Sequence, residues 1–468
     1  MSGISQLSDD WNQSPPGPGA FSILRAEEEP WLLACFVPPP EFGRMAGPRS
    51  VIIFGEPGSG KTAIYRALQA YSKDASGKPL RLLVSWRPVP PSEEIRPGLA
   101  WVKQMARRIL DACAASLIHH LAHHPEDYTV APPWAQARLV WFIHRFTLGK
   151  PELRWGPLTE SQYRGASLIR QILTATVPDV IYEDAPLEQI IAELVNALQT
   201  MGMESIWVLS DGLEGWSEIA FDRLIEGLRA FFSTLSLFEH KGLVYKLCLL
   251  AHIEPVISRA GGLARRRIES IHLRWDAPTL RRLVERRLAF AFGREAFSLQ
   301  ELCSAPDFLE WLEKVGGESP REWLDQIAVL AEYYARHPDA SPIDEKTWRK
   351  LRLRHPPRFY LDEKRCQAIV GGRRINLEEL PEKAYEILRY LYQRSGEVVS
   401  KGELYFRVYR GLDRVPRPAD PDYEAPKDYA SLIDTNIWRL RKAIEPDPKN
   451  PVLLITRRGF GVTLRVRW

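Results

Sequence analysis

Cysteine is scarce and long apolar runs are missing from this sequence of 468 residues. The five cysteines stand far apart, at 35, 113, 248, 303 and 366, so the spacing fits neither a CxxC zinc site nor a disulfide framework. No run of about 18 apolar residues predicts a membrane-spanning helix. The first 19 residues have neither a basic start nor an apolar stretch, so we expect no signal peptide. These absences predict a cytoplasmic protein that has no membrane partner.

The charge of the chain is unevenly distributed. Residues 351–468 carry 24 Lys and Arg against 16 Asp and Glu, a net charge of +8, whereas residues 1–350 have a net charge of −4. A basic terminal segment on a mildly acidic body favours contact with nucleic acid. A chance imbalance is the alternative interpretation. The length of the chain is typical of about three domains.

Short apolar runs alternate with segments of helical spacing through the first 275 residues. This alternation predicts an α/β fold, a parallel sheet joined by crossover helices. Strands are predicted at 51–54, 82–86, 206–209, 246–250 and 268–273. Apolar residues between 98 and 200 recur at helical spacing and predict a helical insertion, and residues 276–337 show helical patterns only.

A complete phosphate-loop motif follows the first predicted strand. Residues 55–62, GEPGSGKT, match G-x-x-x-x-G-K-[ST] and precede a predicted helix. The glycines let backbone N–H groups approach phosphate oxygens, the lysine meets the β- and γ-phosphates, and the threonine hydroxyl holds Mg²⁺. The predicted ligands are therefore ATP and Mg²⁺. The candidate nucleotide-binding residues are Gly55, Glu56, Pro57, Gly58, Ser59, Gly60, Lys61 and Thr62.

A carboxylate follows the predicted strand 206–209. Asp211 is the candidate partner of Mg²⁺, directly or through water. Because Gly212 comes next, the adjacent position has no carboxylate that could orient a water molecule. Glu214 is the nearest candidate catalytic base, and a solvated turn glutamate is the alternative. These residues predict slow ATP hydrolysis, if ATP is hydrolysed at all.

Residues 20–340 resemble bacterial P-loop ATPases of the AAA+/STAND superfamily, because GEPGSGKT, VLSDGLEG and a helical segment follow in the same order. The resemblance implies a helical lid from which Arg321, in the stretch 317–321, contacts the nucleotide. It also implies a γ-phosphate sensor at His252. Residues 265–267 fall where such proteins place an arginine that reaches a neighbouring subunit. A homo-oligomer built through the ATPase region is one interpretation of this cluster, and a solvated basic turn is the other.

The C-terminal segment has a different pattern of predicted elements: three short strands, three helices and a basic hairpin. Residues 433–444, 447–448 and 455–461 resemble the winged helix-turn-helix domain of OmpR/PhoB-type response regulators. The resemblance implies double-stranded DNA as a partner and a recognition helix in the major groove. Asn436 would face a base, and the other candidate DNA contacts are Arg439, Arg441, Lys442, Arg457 and Arg458. A solvated helix face is the alternative for each arginine. A lengthened loop at 410–428 leaves contact with RNA polymerase open.

Four histidines at 119, 120, 123 and 124 form two i,i+4 pairs on a predicted helix. This spacing can bind zinc. Because there is no HExxH order and no carboxylate between the pairs, a solvated helix end is the favoured interpretation.

The resulting prediction is an α/β P-loop NTPase with a helical insertion and lid, followed by an α+β winged helix domain. The expected boundaries are a flexible tail at 1–20, an ATPase core at 21–275, a lid at 276–345, a linker at 346–357 and a winged helix at 358–468. The predicted function is an ATP-binding, signal-responsive transcription regulator. The alternative is an ATP-driven, DNA-associated assembly factor of a defence or mobile-element system.

Overall fold

The computed structural model divides the chain into two compact units. The first contains Pro30–Arg274, and the second contains Trp275–Trp468 together with the described residues between 16 and 29. The described residues are 16–21, 26–74, 77–92, 96–176, 186–213, 217–234, 237–238, 240, 242–260, 267–337, 342–417, 419–420, 423 and 428–467.

A five-stranded parallel sheet forms the centre of the first unit, in the order β2-β3-β4-β1-β5. Its strands are β1 (Ser50–Gly55), β2 (Arg81–Ser85), β3 (Ser205–Ser210), β4 (Leu243–Leu250) and β5 (Ile268–His272). Every residue of β1 and β4 is buried, as their apolar sequences require of central strands covered on both faces. The predicted parallel sheet is confirmed, whereas its assignment to the P-loop NTPase class stays a prediction.

Helices cover this sheet, and many of them lie in the predicted insertion. They are α1 (Phe42–Met45), α2 (Lys61–Tyr71), α3 (Leu99–His123), α4 (Pro125–Val130), α5 (Pro133–Phe146), α6 (Pro151–Trp155), α7 (Ala166–Thr174), α8 (Leu187–Thr200), α9 (Glu218–Ser233) and α10 (Glu254–Ala260). The long helix α3 buries one apolar stripe, including Trp101 and Leu117, in the same core as the sheet. The insertion therefore shares a core with the sheet.

The second unit begins with helices. They are α11 (Ala277–Ala291), α12 (Leu299–Leu302), α13 (Phe308–Gly316), α14 (Pro320–Arg336) and α15 (Glu345–Arg354). A short 3-10 helix, Gly17–Phe21, lies in this unit with Ala20 and Phe21 buried. It overlaps the predicted tail 1–20, of which residues 1–15 lie outside the described part. Helix α15 likewise occupies most of the predicted linker 346–357.

The C-terminal segment contains two antiparallel sheets and three helical stretches. The elements are β6 (Phe359–Asp362), β7 (Gln367–Val370), β8 (Arg373–Asn376), α16 (Glu382–Gln393), α17 (Lys401–Leu404), α18 (Tyr429–Ile444), β9 (Leu454–Arg457) and β10 (Gly461–Leu464). Strands β6, β7 and β8 form one sheet, and β9 pairs with β10 in the hairpin. A π-helical turn, Tyr405–Tyr409, continues α17. The apolar faces of these elements share one core.

Two glycines bring the β7–β8 turn against the end of α13. The Gly372 amide donates to the Val315 carbonyl oxygen at 2.9 Å. A Cβ atom on Gly372 would lie 1.8 Å from the Gly316 carbonyl oxygen, and one on Gly371 would lie 2.3 Å from that of Val315. No side chain fits at such distances, so this approach of two backbones requires glycine.

A buried carboxylate joins three parts of the second unit. Asp325 on α14 accepts two hydrogen bonds from the Arg467 guanidinium, one of them at 2.9 Å, and a third from Arg358 Nη2 at 3.3 Å. His355 Nε2 lies 3.1 Å from Asp325 Oδ2. Although burial acts in the opposite direction, these partners hold the pKa of Asp325 far below its usual range. One side chain thus links α14, the segment after α15 and the C-terminal end.

We predict that Asp325→Asn destabilises the second unit by roughly 2–3 kcal/mol, because it leaves Arg467 without its charge partner and leaves Arg358 with Glu322 alone among its carboxylate partners in the described residues. The low pKa means that ionised Asp325 stabilises the fold fully above about pH 4, its unfolded value. That contribution is lost as pH falls from there through the folded pKa. The difference between wild type and variant should therefore be constant near neutrality and shrink in acid.

Urea unfolding of the full chain at several pH values, with hydrogen exchange reporting on α14, measures this effect. Glu332→Gln is the matched control, since Glu332 is an exposed carboxylate on the same helix and pairs with Arg336. We expect that control to change stability by less than about 0.5 kcal/mol. Equal losses in the two variants would contradict the role given to Asp325.

Candidate functional sites

The glycine-rich loop, residues 55–62, is a tight turn between β1 and α2. Gly58 and Gly60 have φ values of 84° and 91°, in the left-handed region that side chains disfavour. At Gly55 a Cβ atom would lie 2.3 Å from Ser59 Oγ, so this position also admits glycine alone without rearrangement. Since the glycines allow the chain to turn back on itself, the loop brings its own backbone close to the first turn of α2.

Lys61, the first residue of α2, folds back into this loop. Its side chain is almost entirely buried, at 6% exposure, and Nζ donates to the carbonyl oxygens of Gly55 and Glu56 at 3.1 Å each. The ammonium group therefore lies inside the turn. Thr62 follows in the first helical turn and is half-buried. Backbone N–H groups in a first turn have no acceptors within their own helix, so such a turn suits an anion.

Asp211 follows β3 at the edge of the sheet where β1 also ends. Strand β4 separates the two, and since all five strands are parallel, their carboxyl ends share this edge. Burial raises the pKa of the Tyr65 hydroxyl on α2, and the negative charge of Asp211 adds to that rise. This effect places the carboxylate within electrostatic reach of α2. A half-buried carboxylate, a hydroxyl at Thr62 and the loop are the groups that a magnesium nucleotide requires at one sheet edge.

The other residues predicted to act on the nucleotide belong to separate segments of the chain. Glu214, Arg265 and Arg266 lie outside the described residues, and Arg267 is exposed. His252 is exposed on the turn after β4, with its ring centre 5.9 Å from that of Phe221. Arg321 lies in the first turn of α14, in the second unit. Their roles stay predictions.

The histidine cluster matches the expected solvated helix end in part, since His119 and His123 are exposed, but His120 differs. His120 is buried, and its Nε2 lies 2.9 Å from the buried Asp127 carboxylate. The other three rings pack on nearby aromatic rings. Within the part of the chain that the structure describes, no group of three or more His, Cys, Asp or Glu side chains could hold a metal ion.

Asn436 on α18 does not face outward, which corrects its predicted contact with a base. The residue is 5% exposed, and its Nδ2 donates to the Leu432 carbonyl oxygen at 2.9 Å and to the Tyr409 hydroxyl. The reason is helical periodicity, since position 436 falls on the same buried stripe as Ile433, Ile437 and Leu440.

Arg441 also faces the protein. Its Nε and Nη2 donate to the Leu454 carbonyl oxygen at 3.0 and 2.8 Å, and Nη2 donates to Thr456 Oγ1 at 2.7 Å. Burial lowers the pKa of this guanidinium. Arg441 therefore fastens α18 to β9 rather than presenting its guanidinium for a phosphate contact.

The exposed residues of α18 include Thr435, Trp438, Arg439 and Lys442, and Ser431, Leu432 and Asp434 are exposed as well. Trp438 is 55% exposed, and Lys442 Nζ lies 4.0 Å from its ring centre. At the β9–β10 tip Arg457 and Arg458 are exposed beside Phe460, which is 76% exposed. Sequence reasoning missed Thr435, Trp438 and Phe460. Counting helical turns from the buried Ile433 and Ile437 would have identified the first two as outward-facing.

No protein-family model matches the chain. Over 104 residues it is 36% identical to the sensory transduction protein RegX3 of Mycobacterium leprae, a match that covers 22% of this chain and 44% of that protein. RegX3 of Mycolicibacterium smegmatis shows the same identity, with 39% of its length covered. The probable transcriptional regulator ycf27 of Cyanidium caldarium is 27% identical over 149 residues, 31% of this chain and 53% of that protein.

The chain thus spans about half or less of the length of these curated relatives. The similarity supports the presence of an OmpR/PhoB-type regulator domain in the chain. The P-loop ATPase assignment stays a prediction. In the described residues, no helix is both long and apolar enough to cross a membrane.

We predict that Arg441→Ala lowers the stability of the C-terminal segment by about 1–3 kcal/mol, because it removes three hydrogen bonds from a charged donor. Arg439→Ala is the matched control two positions earlier, where the side chain is exposed, and should change stability by less than about 0.5 kcal/mol. Thermal unfolding of the full-length variants measures both. Similar midpoints for the two would mean that Arg441 does not fasten α18 to β9.

Proposed function

We propose that this chain is a signal-responsive transcription regulator that binds ATP with Mg²⁺ in its first unit and duplex DNA through its C-terminal segment. The observation that carries the regulatory part is the 36% identity over 104 residues to sensory transduction proteins. That length is close to the length of the predicted winged helix domain, residues 358–468.

The exposed cations of α18 and of the β9–β10 tip support DNA as the partner. Arg439, Lys442, Arg457 and Arg458 are all solvent-exposed in a segment whose net charge is positive. Neutralising phosphate charge with such side chains releases counterions and gives salt-dependent affinity. Trp438 and Thr435 are exposed on the same helix as two of these cations, so they take the place first given to Asn436 as candidates for contact with base edges.

The glycine-rich loop supports ATP as the ligand of the first unit. Lys61 inside the turn, the left-handed glycines and Thr62 at the helix start fit a bound triphosphate, and Asp211 would hold Mg²⁺ together with Thr62. The metal, when bound, would neutralise phosphate charge. Asp211 is followed by Gly212, so slow turnover, a nucleotide switch rather than a motor, remains the expectation.

We expect Lys61→Ala to weaken ATP binding at least tenfold, because charge-assisted hydrogen bonds to phosphate are each worth about 1.5–3 kcal/mol. Isothermal titration of the full chain with ATP and Mg²⁺ measures the affinity. Lys73→Ala, an exposed lysine just after the other end of α2, is the matched control and should bind as wild type does. Undiminished affinity in Lys61→Ala would refute the nucleotide assignment.

DNA binding is tested with a short mixed-sequence duplex by fluorescence anisotropy across a salt series. Arg439→Ala and Lys442→Ala should each weaken binding and reduce the salt slope by about one, as loss of a phosphate contact does. Arg365→Ala, an exposed arginine in the β6–β7 turn, is the control of equal charge change. If all three variants weaken binding equally, net charge rather than the α18 face governs the affinity.

A further inference from the structure

A cavity of about 230 Å³ lies within the second unit. It is lined by α13 and α15 and by the turn at 446–450, which follows α18 along the chain. Its volume is several times the roughly 30 Å³ that one water molecule occupies in the liquid. It is therefore suited to a small molecule or ion.

Arg352 on α15 lines this cavity and is a buried arginine. The residue is 6% exposed, and its guanidinium carbon lies 4.5 Å above the Trp348 ring. Among the residues that the structure describes, its Nε has no hydrogen-bond partner, and no carboxylate forms an ion pair with it. Burial lowers the pKa of Arg352, and the negative charges of Asp447, Asp307 and Glu445 oppose that change. Buried arginines are normally paired, because an unpaired buried charge is costly.

The other groups that line the cavity show which hydrogen-bond partners a ligand would have to supply. Trp311 Nε1 is a second buried donor without a partner in the described structure. Three acidic side chains also line the cavity: Glu310 pairs with Lys314 at 2.6 Å, Asp447 accepts from the Lys449 amide and from Asn450 Nδ2, and Asp307 is exposed to solvent. The buried groups without a partner are therefore donors, so a ligand that satisfies them must bring acceptors, and a negative charge would complement the Arg352 guanidinium.

We propose that this cavity binds a small anion, a carboxylate or a phosphate, whose oxygens accept hydrogen bonds from Arg352. A guanidinium suits both groups because its donors match two oxygens of either. Trp311 supplies a further donor and an apolar wall, and the exposed Lys449 adds positive charge at the rim. The binding site does not depend on the proposed function of the chain.

The position of the cavity would let a bound anion affect the C-terminal segment. Its walls come from α13 and α15 on one side and from the turn that ends α18 on the other. An anion that bridges these walls restrains α18, and by linkage DNA bound to α18 would change the affinity for the anion by the same factor. This coupling rests on the proposed function, whereas anion binding stands alone.

The test uses thermal unfolding and isothermal titration of the full chain with sodium phosphate or sodium acetate, against sodium chloride at equal ionic strength. We expect at least one of the two anions to bind and to raise the unfolding midpoint. The phosphate and acetate arms then distinguish the two ligand classes. Arg352→Met should reduce the affinity at least tenfold, and Lys449→Ala, at an exposed position, should reduce it less.

Arg349→Ala is the matched control, because Arg349 lies one turn earlier on α15 and pairs with Glu345 at 2.5 Å. It should bind the anion as wild type does. Without anion, Arg352→Met should unfold at or above the wild-type midpoint, since it removes an unpaired buried charge. If Arg352→Met fails to fold, the proposal is wrong about that charge, and Lys449→Ala still reports on the location of binding.

Stabilisation of every variant alike, or of none, would overturn the proposal and leave water alone in the cavity. The coupling to DNA is tested separately. Phosphate or acetate should shift the affinity of the wild-type protein for duplex DNA and should not shift that of Arg352→Met. If the anion binds through Arg352 while duplex affinity is unchanged, the site stands and the coupling to DNA fails.

Discussion

The packing of the second unit depends on one ionised carboxylate. Asp325 lies on α14, yet its partners come from the segment after α15 and from the C-terminal end. A carboxylate buried among apolar side chains is stable only when cations satisfy its oxygens. Each partner is thus held where the charge requires it, and the helices of the predicted lid and the sheets of the predicted winged helix form one compact unit.

Backbone contact reinforces this connection. The glycines of the β7–β8 turn approach the end of α13 so closely that amide and carbonyl groups pair across the junction. This contact is made by backbone groups rather than by flexible side chains. We therefore expect α13 and the β7–β8 turn to move together. The ligand proposed for the Arg352 cavity, which α13 and α15 line, would therefore act on the segment that carries α18.

Charge is used in two different ways on α18. Arg441 is committed to the protein, where it spans the gap to β9 with hydrogen bonds to one carbonyl oxygen and one hydroxyl. Arg439 and Lys442 remain exposed, and Lys442 rests on the Trp438 ring. Arg441 thus serves stability, whereas Arg439 and Lys442 stay exposed for the proposed contact with DNA, because the helix turns them to a different face.

The sequence by itself determined the parallel sheet, the glycine-rich loop and the order of the C-terminal elements. Each depends on local pattern: apolar β-branched runs, glycines at fixed spacing and apolar residues at helical period. Only the tertiary structure decided which groups Asn436 and Arg441 contact, since their partners Tyr409 and Leu454 lie 27 and 13 residues away. The same holds for Asp325 and Arg352, because whether a buried charge is paired depends on residues that meet only after the chain has folded.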